Sequence, residues 1–300
     1  MGAAAAVGFC GLGGCSAVRL TYNQGPFLAY WWIDGYFDFN AEQSPKVRAA
    51  LDDWFSWHRA TQLTDYMALL GGAQRMVVDN VTPAQVCGLY QSAMTRVERA
   101  YEQAVQAMAE IAREMTPAQL RHLEQRYQKS NDELQRDYLK GDPIDRREAM
   151  QKQWIERAET VYGRLDETQR QMVATALERS PFDPQRWLVE RRSRQHDILR
   201  GLRQLNGDKA DAATAESLMR ALALTMTRSA RPDYQAYRQR LQETNCDMAA
   251  RLHNTTSPAQ RQRAVGKLKA WEDDLRSLMR EPASTKPALI GSATRSLGAG

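Results

Sequence analysis

One four-residue phrase recurs along this chain and constrains its fold more than any other feature. Thr82-Pro83-Ala84-Gln85, Thr116-Pro117-Ala118-Gln119 and Ser257-Pro258-Ala259-Gln260 are chemically the same tetrapeptide. In each, a Ser or Thr hydroxyl can accept from the third backbone N–H of a new helix, and the Gln side chain can reach back to the N–H of the capping residue. Pro sits where its missing donor costs nothing. Asp166-Glu167-Thr168-Gln169 repeats the phrase without Pro, and Asp142-Pro143 and Asp183-Pro184 offer the same kind of cap. Each therefore marks the start of a helix. Apolar residues follow at helical spacing, as in Val86, Tyr90, Ala93, Val97, Tyr101, Ala104, Met108, Ile111 and Met115, which predicts one long buried stripe. Similar runs occur at Val47, Leu51, Trp54, Phe55 and His58, at Tyr234, Tyr237, Leu241, Met248 and Leu252, and at Val265, Leu268, Trp271, Leu275 and Met279. Nowhere do β-branched and aromatic residues alternate with period two over a strand's length. The expected fold is all-α, an antiparallel bundle or array of helices.

The expected helical domain runs over 26–280, with breaks near 141–143 or 206–208 where Gly-Asp-Pro and Asn-Gly-Asp interrupt the periodicity. Residues 281–300, with two prolines and mostly small side chains, are expected to form a disordered tail. No stretch approaches the ~20 consecutive apolar residues of a membrane-spanning helix. The formal charge of +5 gives a mildly cationic surface, too weak to select a polyanionic partner.

The first residues read as a targeting segment. Ala3 to Leu12 form an apolar run of signal-peptide length, and Leu12-Gly13-Gly14-Cys15 resembles a lipobox. That resemblance implies diacylglycerol transfer to the Cys15 thiol, cleavage after residue 14, and a mature chain beginning with an acylated cysteine. Residues 1–14 are then a signal peptide, and 15–25 a lipidated tether. Cys10 fits less well, because the bulky Phe9 stands at the cleavage position. Myristoylation would need Ser or Thr where Ala6 stands. The basic residues usual before such an apolar run are missing from Met1-Gly2-Ala3. Ser16, not Asp, follows Cys15, which favours the periplasmic face of the outer membrane as the destination. Cys87 and Cys246 either pair in that oxidising compartment or serve as small buried apolar side chains.

Catalytic and metal signatures are missing from the sequence. A di-iron site on a helical bundle needs Glu three residues before His, and Phe55, Gln119, Ser193 and Ala250 occupy those positions. No H-E-x-x-H, C-x-x-C or G-x-S-x-G occurs. The expectation is a non-enzymatic protein without metal or cofactor.

Two segments are candidate binding surfaces. Arg191-Arg192-Ser193-Arg194 is the densest basic run; it either meets phosphates of anionic lipid headgroups or is a solvated helix face, and the solvated face is the expected reading. The segment from Phe27 to Phe39 holds Trp31, Trp32 and Tyr36. It either sits at headgroup level or on a partner protein, or it plugs the bundle. Because consecutive residues diverge by about 100° around a helix, the plug predicts that at least one of Trp31 and Trp32 is buried. His58 is expected to be a hydrogen-bonded core residue.

Cys15-Ser16-Ala17-Val18-Arg19-Leu20-Thr21-Tyr22-Asn23, Tyr30-Trp31-Trp32-Ile33-Asp34-Gly35-Tyr36 and Trp54-Phe55-Ser56-Trp57-His58-Arg59 resemble a family of Gram-negative lipoproteins built on a domain of unknown function. Lys129-Ser130-Asn131, Tyr162-Gly163-Arg164-Leu165-Asp166 and Trp187-Leu188-Val189-Glu190-Arg191-Arg192 extend the likeness to about Leu205. The resemblance implies the lipid anchor and an envelope address, and no activity. Val81 to Gln85 and Met115 to Gln119 also resemble the L-T-x-x-Q motif of small helical periplasmic chaperones, a likeness that capping alone can generate. The expected role is a membrane-anchored, chaperone-like or other binding protein of the envelope, its partner a protein or anionic lipid and not nucleic acid. The alternative is a hydrolase or modifying enzyme acting on cell-wall or lipid substrates.

Overall fold

The computed structural model describes residues 17–207 and 210–281; the leader, Cys15 and residues 282–300 lie outside the described residues. The described chain is all-α, with twelve helices and no strand. They are α1 (Ala17–Asn23), α2 (Gly25–Phe37), α3 (Gln43–Thr61), α4 (Leu63–Met76), α5 (Pro83–Arg113), α6 (Pro117–Tyr138), α7 (Pro143–Tyr162), α8 (Glu167–Glu178), α9 (Pro184–Gly207), α10 (Ala212–Thr227), α11 (Pro232–Asn254) and α12 (Pro258–Arg280).

The capping phrases begin helices as their chemistry dictates. Thr82, Thr116, Asp166 and Ser257 each accept from the Gln N–H three residues on, and each Gln returns the bond to the cap's own N–H. Asn40 and Gln43 make the same reciprocal pair ahead of α3. Asp142 caps α7 through Ile144 N, and Asp183 accepts from Gln185 N and Arg186 N at the start of α9.

Four of these boxes then join in pairs. Gln43 and Gln119 exchange amide hydrogen bonds at 2.6 and 3.4 Å; Gln43 also donates to the Glu114 carbonyl, and Gln119 to that of Asp38. Gln169 and Gln260 exchange bonds at 2.9 Å, and they donate to the carbonyls of Thr255 and Arg164. In all four cases the accepting carbonyl lies two residues before the partner box. Each amide thus finds two acceptors for its N–H groups and two donors for its oxygen, a full complement for a buried side chain. The helix contacts repeat as well. Around the first pair α2 lies on α6 and α3 on α5, and around the second α7 lies on α12 and α8 on α11. The protein therefore contains one four-helix crossing twice, with α2, α3, α5 and α6 matching α7, α8, α11 and α12.

The 31-residue α5 is the spine, about 46 Å long, and touches α3, α4, α9, α10 and α11. Its predicted stripe needs correction. Tyr90 and Val97 are partly exposed, and the deepest line is Val105, Ala109, Ala112 and Met115. Neighbours on several sides use more than one face of this helix, so its deepest line shifts along its length. The largest core unites α5, α6, α9 and α10 through Val105, Leu120, Leu123, Leu202, Leu205 and Met219. Smaller cores join α4 to α12 and α7 to α8 and α11. A disulfide links Cys87 of α5 to Cys246 of α11, with Cα atoms 5.5 Å apart.

Both ends of the domain depart from the expected boundaries. The presumed tether is helical from Ala17 because its polar residues find partners in the body: the Tyr22 hydroxyl lies 2.8 Å from His58 Nδ1, and Asn23 bonds Arg59 and Glu281. Glu281, expected to open the tail, is held by Arg19 and Asn23.

Candidate functional site

The most unusual surface is on α2, and the bonds that fix this helix explain why the surface is presented. Pro26 stands in its first turn, where its fixed φ and missing donor suit a helix start. Gly25 admits the close approach of α3, since a Cβ there would lie 2.3 Å from the Phe55 ring. At the far end Asp38 takes a left-handed conformation at φ 50° and donates its N–H to the Asp34 carbonyl, while Phe39 N donates to Asp34 Oδ1 at 3.0 Å. On the inner side Tyr30 is buried, donates to Ser44 Oγ at 3.0 Å, and carries the Arg48 guanidinium 3.4 Å above its ring. Tyr36 and Phe37 meet the largest core, with Tyr36 against Tyr127.

What remains outside is apolar. Phe27, Leu28, Trp31 and Trp32 are exposed, Trp31 by 70% and Trp32 by 62%, and Gly35 continues the row. Their spacing of one, three and four residues places them on one side of the helix. Asp34, the one charged residue of α2, stands at the end of this row and accepts from Phe39 N through one carboxylate oxygen. Leu20 on α1 is exposed too. The expected plug is thus corrected for both tryptophans: Tyr30, Tyr36 and Phe37 fill the contact with the body, and Trp31 and Trp32 face out. Tyr36, grouped with them from the sequence, is half-buried, and its ring meets that of Trp32 at a tilt of 48°, with centroids 5.0 Å apart.

The basic run does not form a single surface. Arg191 turns inward, donating to Asn131 Oδ1 at 2.9 Å and Ser130 Oγ at 2.8 Å, and Asn131 in turn bonds Gln195. Arg194 lies 3.7 Å from Glu190, a buried carboxylate that also meets Arg231. Arg192 alone of the three is exposed. Neighbours Arg200 and Arg203 are paired with Asp197 and Glu124. Successive arginines on a helix point in different directions, so a dense run in sequence is divided between interior and solvent.

The buried histidines are structural. His58 stacks on Trp54 with centroids 4.9 Å apart, and its two nitrogens meet the hydroxyls of Tyr22 and Tyr66. Burial pushes its pKa down to about 4 and that of Tyr22 up to about 12. His253 Nε2 donates to the Asp79 carbonyl, and its Nδ1 meets the Tyr162 hydroxyl. A histidine held neutral in the fold and protonated near pH 6.5 when unfolded lowers stability as pH falls from about 6.5 to 4, by up to about 3 kcal/mol for His58. Above pH 6.5 both states are neutral and the contribution vanishes. NMR titration should find the His58 ring still neutral at pH 5.5; a midpoint near 6.5 would exclude this.

Among the described residues no three His, Cys, Asp or Glu side chains converge as a metal site. A cleft of about 550 Å³, open to solvent, lies where α3, α5 and the end of α9 meet. Of its charged groups, Lys46 bonds Glu114 at 2.6 Å, Arg113 donates to the Ala210 carbonyl, and Glu110 accepts from the Gln106 amide at 3.1 Å.

Residues 35–224 match the family of unknown function DUF6279. The chain belongs to this family. No curated protein and no solved structure matches it. The DUF6279 match takes in the first crossing from Gly35 onward and ends inside α10. Phe27, Leu28, Trp31 and Trp32 precede the match, and Cys246 follows it.

The candidate segment Phe27 to Phe39 holds four of the outward residues, of which Trp31 and Trp32 are the two named as the surface, and Leu20 of α1 lies outside it. Their signal is composition: α2 is apolar all round, and a helix of that kind has more apolar surface than one packed side can cover.

Proposed function

We propose that the protein is a non-enzymatic lipoprotein of the bacterial envelope, anchored by acylated Cys15 on the periplasmic face of the outer membrane, whose helical body serves as a binding scaffold. The observation that carries this reading is the exposed apolar face of α2, Phe27, Leu28, Trp31 and Trp32, held in place by Tyr30, Asp38 and Gly25. Exposed apolar surface of this kind marks contact with a membrane or partner, because water contact is otherwise unfavourable at about 25 cal/mol per Å². The Cys87–Cys246 disulfide supports an oxidising compartment, since cytosolic thiols are kept reduced. The Lys46–Glu114 pair in the open cleft, and the engagement of the buried His58 and His253 by tyrosines, favour binding over hydrolysis.

Acylation is the first test. Cells supplied with labelled palmitate should incorporate it into the native protein and not into Cys15→Ser, which should be recovered soluble and folded because the anchor is chemically separate from the helical body. Label in the Cys15→Ser protein, or none in the native one, would overturn the anchor.

A further inference from the structure

We propose that the outward face of α2 seats in the boundary between headgroups and acyl chains of the membrane that holds the anchor, so that the body lies on the bilayer in a fixed orientation. The inference rests on acylation at Cys15 and names what the α2 face meets.

Distance is the first argument. Cys15 precedes the first described residue, Ala17, by two positions, and two residues span at most about 7 Å. α1 contains seven residues and adds about 10 Å. With acyl chains buried at residue 15, α1 begins at the membrane surface, and α2 follows α1 after a single residue, Gln24. No linker of the length that would let the body float free stands between anchor and platform. The platform cannot swing away on its own either: Tyr22 is bonded to His58, and Asn23 to Arg59 and Glu281.

Composition is the second argument. An interfacial helix shows apolar and aromatic side chains to lipid and turns its polar face to water. Here the protein body covers the opposite side of α2. Phe27, Leu28, Trp31 and Trp32 bring no charge to the lipid, and tryptophan rings favour the headgroup level, where an apolar ring and a polar N–H are both accommodated. A soluble protein partner would have to compete with lipid for a face that the anchor holds against it. The diacylglyceryl anchor already holds the chain at the bilayer, and apolar side chains beside it add to that hold in the same way as further methylenes.

The test uses the full acylated protein in phosphatidylcholine vesicles whose acyl chains carry bromine, a contact quencher of tryptophan emission. Acylation is first verified by mass. The native protein should be quenched relative to the same protein in unbrominated vesicles. The Trp31→Phe/Trp32→Phe variant should lose that quenching, because the remaining five of its seven tryptophans sit in the body. Phenylalanine keeps the face apolar and the two side chains are exposed, so the variant's unfolding midpoint should match the native one. Verified acylation with equal emission in both vesicle types would overturn the docking while leaving the anchor intact; a protein that carries no acyl chain would overturn the anchor itself. Sedimentation of Cys15→Ser as a dimer that Trp31→Glu dissociates would assign the face to a second copy of the chain and so overturn the lipid assignment.

Discussion

Replacing both Cys87 and Cys246 with alanine is expected to lower stability by about 4 kcal/mol. The bridge ties α5 to α11 across a separation of 159 residues. Its removal frees a loop of more than half the chain in the unfolded state, and the loop-closure entropy regained grows with loop length, slowly but to the upper end of the range seen for single bridges. The substitution itself leaves little cavity, since cysteine and alanine differ by one sulfur atom and Cys87 is only half-buried. Urea unfolding of oxidised native protein against the double alanine variant measures the difference directly. Equal midpoints would show that the bridge constrains nothing that the helices do not already hold. The same bridge lies between the two repeated crossings, because α5 belongs to the first and α11 to the second. A sub-global transition in the alanine variant, in which one crossing melts before the other, is the form that the loss should take if the disulfide makes the two crossings cooperate.

The helices themselves are legible in the sequence because their signals are local. Thr116 and Gln119, three positions apart, fix a helix start whatever else the chain does, and the same is true of Asp166 with Gln169 and Ser257 with Gln260. Pairing between boxes is not local. Gln169 and Gln260 are 91 residues apart and nothing in either tetrapeptide names the other. The disulfide is hidden in the same way: two cysteines fit equally well as a bridge or as buried apolar side chains until the fold brings α5 beside α11.

Trp31 and Trp32 illustrate a different limit. Helical periodicity assigns a face only when one side is polar, and α2 is apolar around its whole circumference, so the pattern contains no instruction about which side turns in. Size argued for burial, since large aromatic rings contribute most to a core. Tyr30 takes that place instead, with a hydroxyl that Ser44 can accept and a ring that Arg48 can cover. The arginine run failed for a geometric reason. Arg191 and Arg194 lie near enough to Asn131 and Glu190 to be drawn in, which a count of positive charges cannot register.

Gln169→Glu is expected to lower stability by about 4 kcal/mol above pH 7, the scale of an uncompensated buried charge. Gln169 is 1% exposed, and its Nε2 donates to Gln260 Oε1 and to the Thr255 carbonyl. A carboxylate would turn both donors into acceptors and set oxygen against oxygen in a site with no cation among its hydrogen-bond partners. Burial and the facing oxygens both disfavour the charged form, so the new carboxyl should titrate well above its unfolded value of about 4.3. The folded state then holds a proton that the unfolded state has lost, and stability falls as pH rises between those two values. Below pH 4 both states are protonated, one donor is restored, and the loss should shrink to about 2 kcal/mol, the range for a hydrogen bond left unmade. Gln169→Leu provides the control: it also strands the partner groups, but cannot titrate, so its loss relative to the native protein should be the same at pH 4 and pH 8. Gln119→Glu should follow Gln169→Glu in size and in pH dependence, because Gln43 and the Asp38 carbonyl surround it as Gln260 and the Thr255 carbonyl surround Gln169. Parallel losses from the two variants, measured as urea midpoints across this pH range, would establish that the two crossings are energetically equivalent. A pH-independent loss in both would mean that the glutamates escape to solvent, and that the paired amides do not hold the crossings together.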